Sequence, residues 1–121
     1  MRDYTKIAAW KYADDLTVWI YEVTKSFPKE ELYGLTSQLR RAAYSVPSNI
    51  AEGSARDSLK DYLHFLYVAR ASLAETEYFV HLSCRLGYLD AEKKKELDQQ
   101  FKATFSRIHG LIKSVENESG K

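Results

Sequence analysis

The 121 residues make one domain, long enough to bury a core and too short for two. A chain with 45% hydrophobic and 29% charged residues is not a disordered tail, and no apolar run approaches the ~18 residues of a membrane span. Eighteen basic against seventeen acidic side chains leave a net charge of +1, which excludes the strongly basic balance of a dedicated nucleic-acid binder but not a local basic patch.

The first helix is expected over about residues 7–26. Ala9, Ala13, Leu16, Ile20, Val23 and Phe27 form one apolar stripe, widened by Tyr12 and Trp19. Phe27-Pro28 ends it, because proline pushes the residue before it out of the helical region. A short link with a turn at Glu30–Tyr33 leads to a second helix over about 35–52, with Leu35, Leu39, Ala42, Val46 and Ile50 as its buried stripe. Pro47 interrupts it, removing one backbone donor and crowding the carbonyl of Ala43. The apolar rhythm continues to Ile50, so a kinked helix is expected rather than a break, with Gly53 as a left-handed cap.

The third helix, about 58–86, starts at Ser58, with Asp61 placed as in a capping box, and closes at Gly87. It carries two apolar rows. Leu59, Tyr62, Leu66, Leu73 and Val80 form the first; Phe65, Val68, Phe79, Leu82 and Leu86 form the second, about a third of a turn away. One row suffices for a four-helix core, so the second points to a central helix or to another subunit. Asp90 caps the fourth helix, about 90–116, whose stripe is Leu97, Phe101, Phe105, Ile108, Ile112 and Val115. Residues 117–121 read as a frayed tail. Four helices with short links predict an all-α, up-down-up-down antiparallel bundle spanning residues 1–121.

The single cysteine, Cys84, leaves no intramolecular disulfide and fits a reducing compartment. The opening Met-Arg-Asp-Tyr-Thr-Lys lacks the apolar run of a signal peptide, so the expected location is cytoplasmic, with no membrane partner. Nine tyrosines, five phenylalanines and two tryptophans suit a surface partly covered by a partner.

Arg41, Ser45 and Glu52 lie at near-helical spacing with Asn49 beside them, and Ser72 and Glu75 interrupt the second row of the third helix. A carboxylate on a buried face needs a charged partner, and an arginine fork supplies one. These six are therefore expected to form a structural polar network joining helices two and three, with Asn49 meeting backbone groups freed around Pro47. A ligand or phosphate pocket is the functional reading of the same residues. Glu77, His81 and Cys84 are metal-ligand types on one helix face but lack a ligand from a second element, so no metal or other cofactor is expected. No phosphate loop, serine elbow or paired-histidine motif is present, and no catalytic residue is assigned.

The stretches Tyr33-Gly-Leu-Thr-Ser-Gln-Leu-Arg-Arg-Ala-Ala, Ser45-Val-Pro-Ser-Asn-Ile-Ala-Glu-Gly53, Leu66 through Glu77 and Leu86-Gly-Tyr-Leu89 together resemble the 23S rRNA intervening-sequence proteins. Ala71 departs from that family, which usually carries glycine there. The resemblance implies a cytoplasmic four-helix bundle assembling as a ring-like homopentamer. That family is in turn similar to the accessory variability protein of diversity-generating retroelements, a pentamer that binds nucleic acid and a reverse transcriptase. The resulting expectation is a non-enzymatic oligomeric scaffold for RNA, DNA or a ribonucleoprotein. Arg40, Arg56, Arg70, Arg85, Lys93, Lys94 and Lys95 are its candidate phosphate contacts. The alternative is a protein-interaction adaptor without nucleic-acid binding.

Overall fold

The four periodic stretches become four α-helices in the structure, a computed structural model that describes residues 2–120. They are α1 (Ala8–Thr24), α2 (Leu35–Ser54), α3 (Leu59–Arg85) and α4 (Ala91–Glu118), with 3-10 turns at Tyr4–Lys6 and Lys29–Glu31. No strand occurs among the described residues, and no helix is long and apolar enough to cross a membrane. Side-chain bonds fix the directions. Arg40 near the start of α2 reaches Thr24 at the end of α1, and Tyr67 in the first half of α3 reaches Glu116 at the end of α4. Gly53 at the end of α2 meets Tyr62 and Phe65 at the start of α3. Arg107 late in α4 reaches Tyr12 early in α1. Each helix thus runs antiparallel to its neighbours, and α4 closes onto α1.

The local signals end the helices as their chemistry requires. Ser58 Oγ accepts from the Asp61 backbone N–H at 3.0 Å, and Asp90 Oδ1 from that of Lys93 at 2.8 Å. At the end of α3 the N–H of Tyr88 bonds Ser83 O and that of Gly87 bonds Cys84 O, with Gly87 at φ +81°. That is a Schellman closure, which needs a residue free of a Cβ penalty.

Inside, the predicted stripes meet. Leu16, Ile20, Leu39, Val46, Ile50, Leu63, Leu66, Leu73, Leu97, Phe101, Ile108 and Ile112 are all essentially sealed from solvent. On α3 the row through Tyr62, Leu66, Leu73 and Val80 forms part of this core. The second row does not reach it fully: Phe65, Val68, Phe79 and Leu82 are half-buried, and Leu86 is 49% exposed.

α2 continues as one helix through Pro47 to Ser54, as its apolar rhythm predicts, and departs from the sequence reading at two other points. The proline leaves the Ala43 carbonyl without its helical donor, and the Thr17 hydroxyl of α1 faces it at 3.1 Å, shared with Ala13 O at 2.8 Å. Asn49, expected to meet the freed group, instead donates to Ser45 O at 2.7 Å. Nor is Gly53 a left-handed cap, since among the described residues only Gly87 and Gly120 have positive φ. It lies inside α2, where a Cβ would stand 2.7 Å from Phe65 Cβ and 3.1 Å from Tyr62 Cδ1. The residue is glycine because two helices meet there, not because the backbone turns.

Two tyrosines tie the ends together. Tyr88 donates to Glu31 Oε2 at 2.9 Å, while Glu31 Oε1 receives the Leu35 N–H that opens α2. Tyr67 donates to Glu116 at 2.7 Å. Both phenols are raised above the ordinary 10.0, chiefly because the carboxylate bond favours the protonated form and secondarily by burial. The unfolded chain releases these protons first, so their stabilisation is complete below about pH 10 and declines above it.

Gly53→Ala is expected to lower the unfolding free energy by about 1–3 kcal/mol through overpacking. Gly110→Ala, facing open space on α4, is expected to raise it by up to about 1 kcal/mol. Urea denaturation of both variants checks the contrast. The stability difference between the wild type and Tyr67→Phe/Tyr88→Phe is expected to shrink as pH rises from about 9 to 11, measured by urea midpoints.

Candidate interaction surfaces

Antiparallel packing gathers the end of α1, the start of α2, the end of α3 and the start of α4 at one end of the bundle. Of the candidate phosphate contacts, Arg40, Arg85 and Lys93 to Lys95 fall toward this end. Arg56 lies just beyond α2 at the opposite end and Arg70 near the middle of α3, so the structure does not unite all seven.

Their environments differ. Arg40 is half-buried, its guanidinium 4.7 Å from the centre of the Tyr21 ring and its Nε donating to Thr24 at 2.8 Å. Arg56 lies over Phe65 at 4.7 Å and pairs with Glu52 at 3.3 Å. Arg70 lies over Tyr67 at 5.3 Å. Lys94 is held by Asp98 at 2.7 Å, one helical turn on. Arg85, Lys93 and Lys95 are exposed. Exposed ion pairs of this kind contribute little to stability and open readily to a competing anion.

The expected polar network lies at the surface, not on a buried face. Glu75 and Arg41 are both exposed, 3.9 Å apart, and make its ionic link from α2 to α3. The second row of α3 that Glu75 interrupts is itself incompletely covered, so the carboxylate reaches water. The other bonds are local to α2 and its end: Ser45 donates to Arg41 O, Asn49 to Ser45 O, and Glu52 accepts from Arg56. Ser72 is half-buried, and its carbonyl accepts from Thr76. Ala71 is exposed.

Glu77 and His81 are exposed on α3 and line a shallow hollow with Lys94 and Asp98 of α4. Cys84 is a half-buried free thiol. No group of three His, Cys, Asp or Glu among the described residues is placed to hold a metal.

Some features escape the sequence reading. Arg2 donates to Ser54 O at 3.2 Å and Arg56 O at 2.9 Å, capping α2 from outside while its guanidinium covers Tyr62. The tertiary fold alone brings these groups together, and no local spacing signals it. A groove of about 580 Å³ runs between α1 and α4. Trp19, read from sequence as a flank of the α1 stripe, forms part of its wall. Trp19 Nε1 and Thr36 Oγ1 are buried without a hydrogen-bond partner among the described residues.

The model of the family described as 23S rRNA-intervening sequence protein matches residues 5–110. A crystal structure of a protein of unknown function from the S23 ribosomal protein family of Bacteroides thetaiotaomicron is similar, with a TM-score of 0.80 at 23% identity. The match covers 87% of this chain and 95% of that one, and at this identity it shows a shared fold. No curated protein matches the chain.

Proposed function

The chain belongs to the 23S rRNA-intervening sequence protein family, and on that premise we propose that it is a non-enzymatic cytoplasmic scaffold that self-associates and binds RNA or a ribonucleoprotein. The observation that carries this reading is the second apolar row of α3. Phe65, Val68, Phe79 and Leu82 are half-buried, and Leu86 is 49% exposed, on a helix whose other row already supplies the core. A row of this kind is covered economically by a second copy of the same chain. A ring of copies, the homopentamer that the family resemblance implies, repeats the exposed Arg85, Lys93 and Lys95 around one axis. Arg85, Lys93 and Lys95 are free to meet phosphates there, and Arg70 reinforces them from the middle of α3.

A second reading, a protein-interaction adaptor, is favoured by the cations that the chain itself occupies. Arg56 and Lys94 pair with Glu52 and Asp98, and Arg40 is bound to Thr24. A scaffold of this kind captures its partner whether or not nuclease is present.

Light scattering is expected to give a multiple of 14.0 kDa, and a monomer at that mass would contradict the reading of the α3 row. Binding to structured RNA is expected to weaken steeply from about 50 to 200 mM salt, as counterion release requires. Arg85→Ala/Lys93→Ala/Lys95→Ala should reduce both the affinity and the slope. No binding at low salt, or binding indifferent to salt, rejects the nucleic-acid part and leaves the adaptor.

A further inference from the structure

The α1–α4 groove is built from two helical faces. Tyr12, Asp15 and Trp19 recur at helical spacing on α1, and Glu96, Gln99 and Gln100 on α4. Among the described residues, the only charged side chains lining it are the carboxylates of Asp15 and Glu96, one on each wall. Neither takes part in an ion pair among the described residues. Beside them lies the Trp19 ring, whose face attracts cations. The chain already shows what this chemistry accepts. Arg107 lies with its guanidinium 4.8 Å from the centre of the Tyr12 ring and donates to the Tyr12 hydroxyl at 3.2 Å. The Gln99 and Gln100 amides form no side-chain bond among the described residues, and each offers a donor and an acceptor to a peptide main chain. The Trp19 N–H is sealed from solvent with no acceptor among the described residues. Such a group is normally satisfied in a finished structure.

We propose that this groove binds an extended segment of a partner protein carrying arginine or lysine. The basic side chain lies between Asp15 and Glu96 against the Trp19 ring. The segment's main chain pairs with the two glutamine amides. The volume of about 580 Å³ holds a few residues, in the usual range for a ligand cleft. The unpaired carboxylates repel a phosphate backbone, so charge complementarity favours a basic peptide over RNA. This site stands apart from the candidate phosphate contacts, and it does not depend on RNA binding or on the α3 row.

Trp10→Phe leaves Trp19 as the only tryptophan and makes its emission a direct reporter of the groove. The full chain carrying this change is titrated with a blocked hexapeptide of alternating arginine and alanine. The same peptides with glutamine or glutamate in place of arginine serve as controls, as do spermidine and polyuridylate. The proposal expects a saturable emission change with the arginine peptide, little with the controls, and about tenfold weaker binding in Asp15→Asn/Glu96→Gln. Both substituted residues are exposed, so the fold should survive, and unchanged circular dichroism confirms it. No saturable change overturns the proposal, as does equal binding of the glutamine peptide or unchanged affinity in the double variant. Equal binding of spermidine would make the groove a general cation site, and competition by polyuridylate would make it a nucleic-acid site; either result also overturns it.

Discussion

The bundle depends on α2 remaining one helix while carrying a proline in its middle. Pro47 removes the donor for the Ala43 carbonyl, and an open carbonyl in a buried stretch invites either a break or water. Thr17 of α1 meets that carbonyl, so the gap in one helix is closed by its neighbour. Val46, Pro47 and Ile50 can then stay in the core on consecutive turns. On the other side of α2, Gly53 lets the backbone come close to Tyr62 and Phe65 of α3. One helix is thus held on both flanks by features that make sense only with its partners in place.

That arrangement decides which surfaces remain open. With α2 close against α3, the first row of α3 is taken into the core and the second is only partly covered. The seam between the first and last helices is looser, and there the Trp19 groove lies open. The two surfaces have different chemistry. The α3 row is apolar and suits a copy of the same chain; the α1–α4 groove is aromatic and acidic and suits a basic segment. The bundle end where Arg85 closes α3 and Lys93 to Lys95 open α4 is a third surface, its cations interspersed with the carboxylates of Asp90 and Glu92.

What the sequence makes legible is what depends on near neighbours. Ser58, Asp90 and Gly87 are read correctly because a cap's donor and acceptor lie within a few residues of each other. The apolar rows are equally plain, since their period alone defines them. Gly53 is misread because a glycine late in a helix looks the same whether it ends the helix or lets another pass. Only Tyr62 and Phe65, brought in by the fold, distinguish the two. Glu75 is misread for a related reason: its row on α3 is apolar, yet the monomer does not bury that row. Arg2, Thr17 and Trp19 carry no local signal, because their roles lie in groups from other helices.

The central claim is that Thr17 and Pro47 act as a pair, and a double-mutant cycle tests it most directly. Thr17→Val, Pro47→Ala and the double variant are compared with the wild type by urea denaturation. In the Pro47→Ala background the restored N–H meets the Ala43 carbonyl within α2, so the loss of Thr17 should cost less. A coupling of about 0.5–1.5 kcal/mol is predicted, and the bond from Thr17 to Ala13, common to both backgrounds, cancels. Additive effects would show that the two residues are independent and contradict the account.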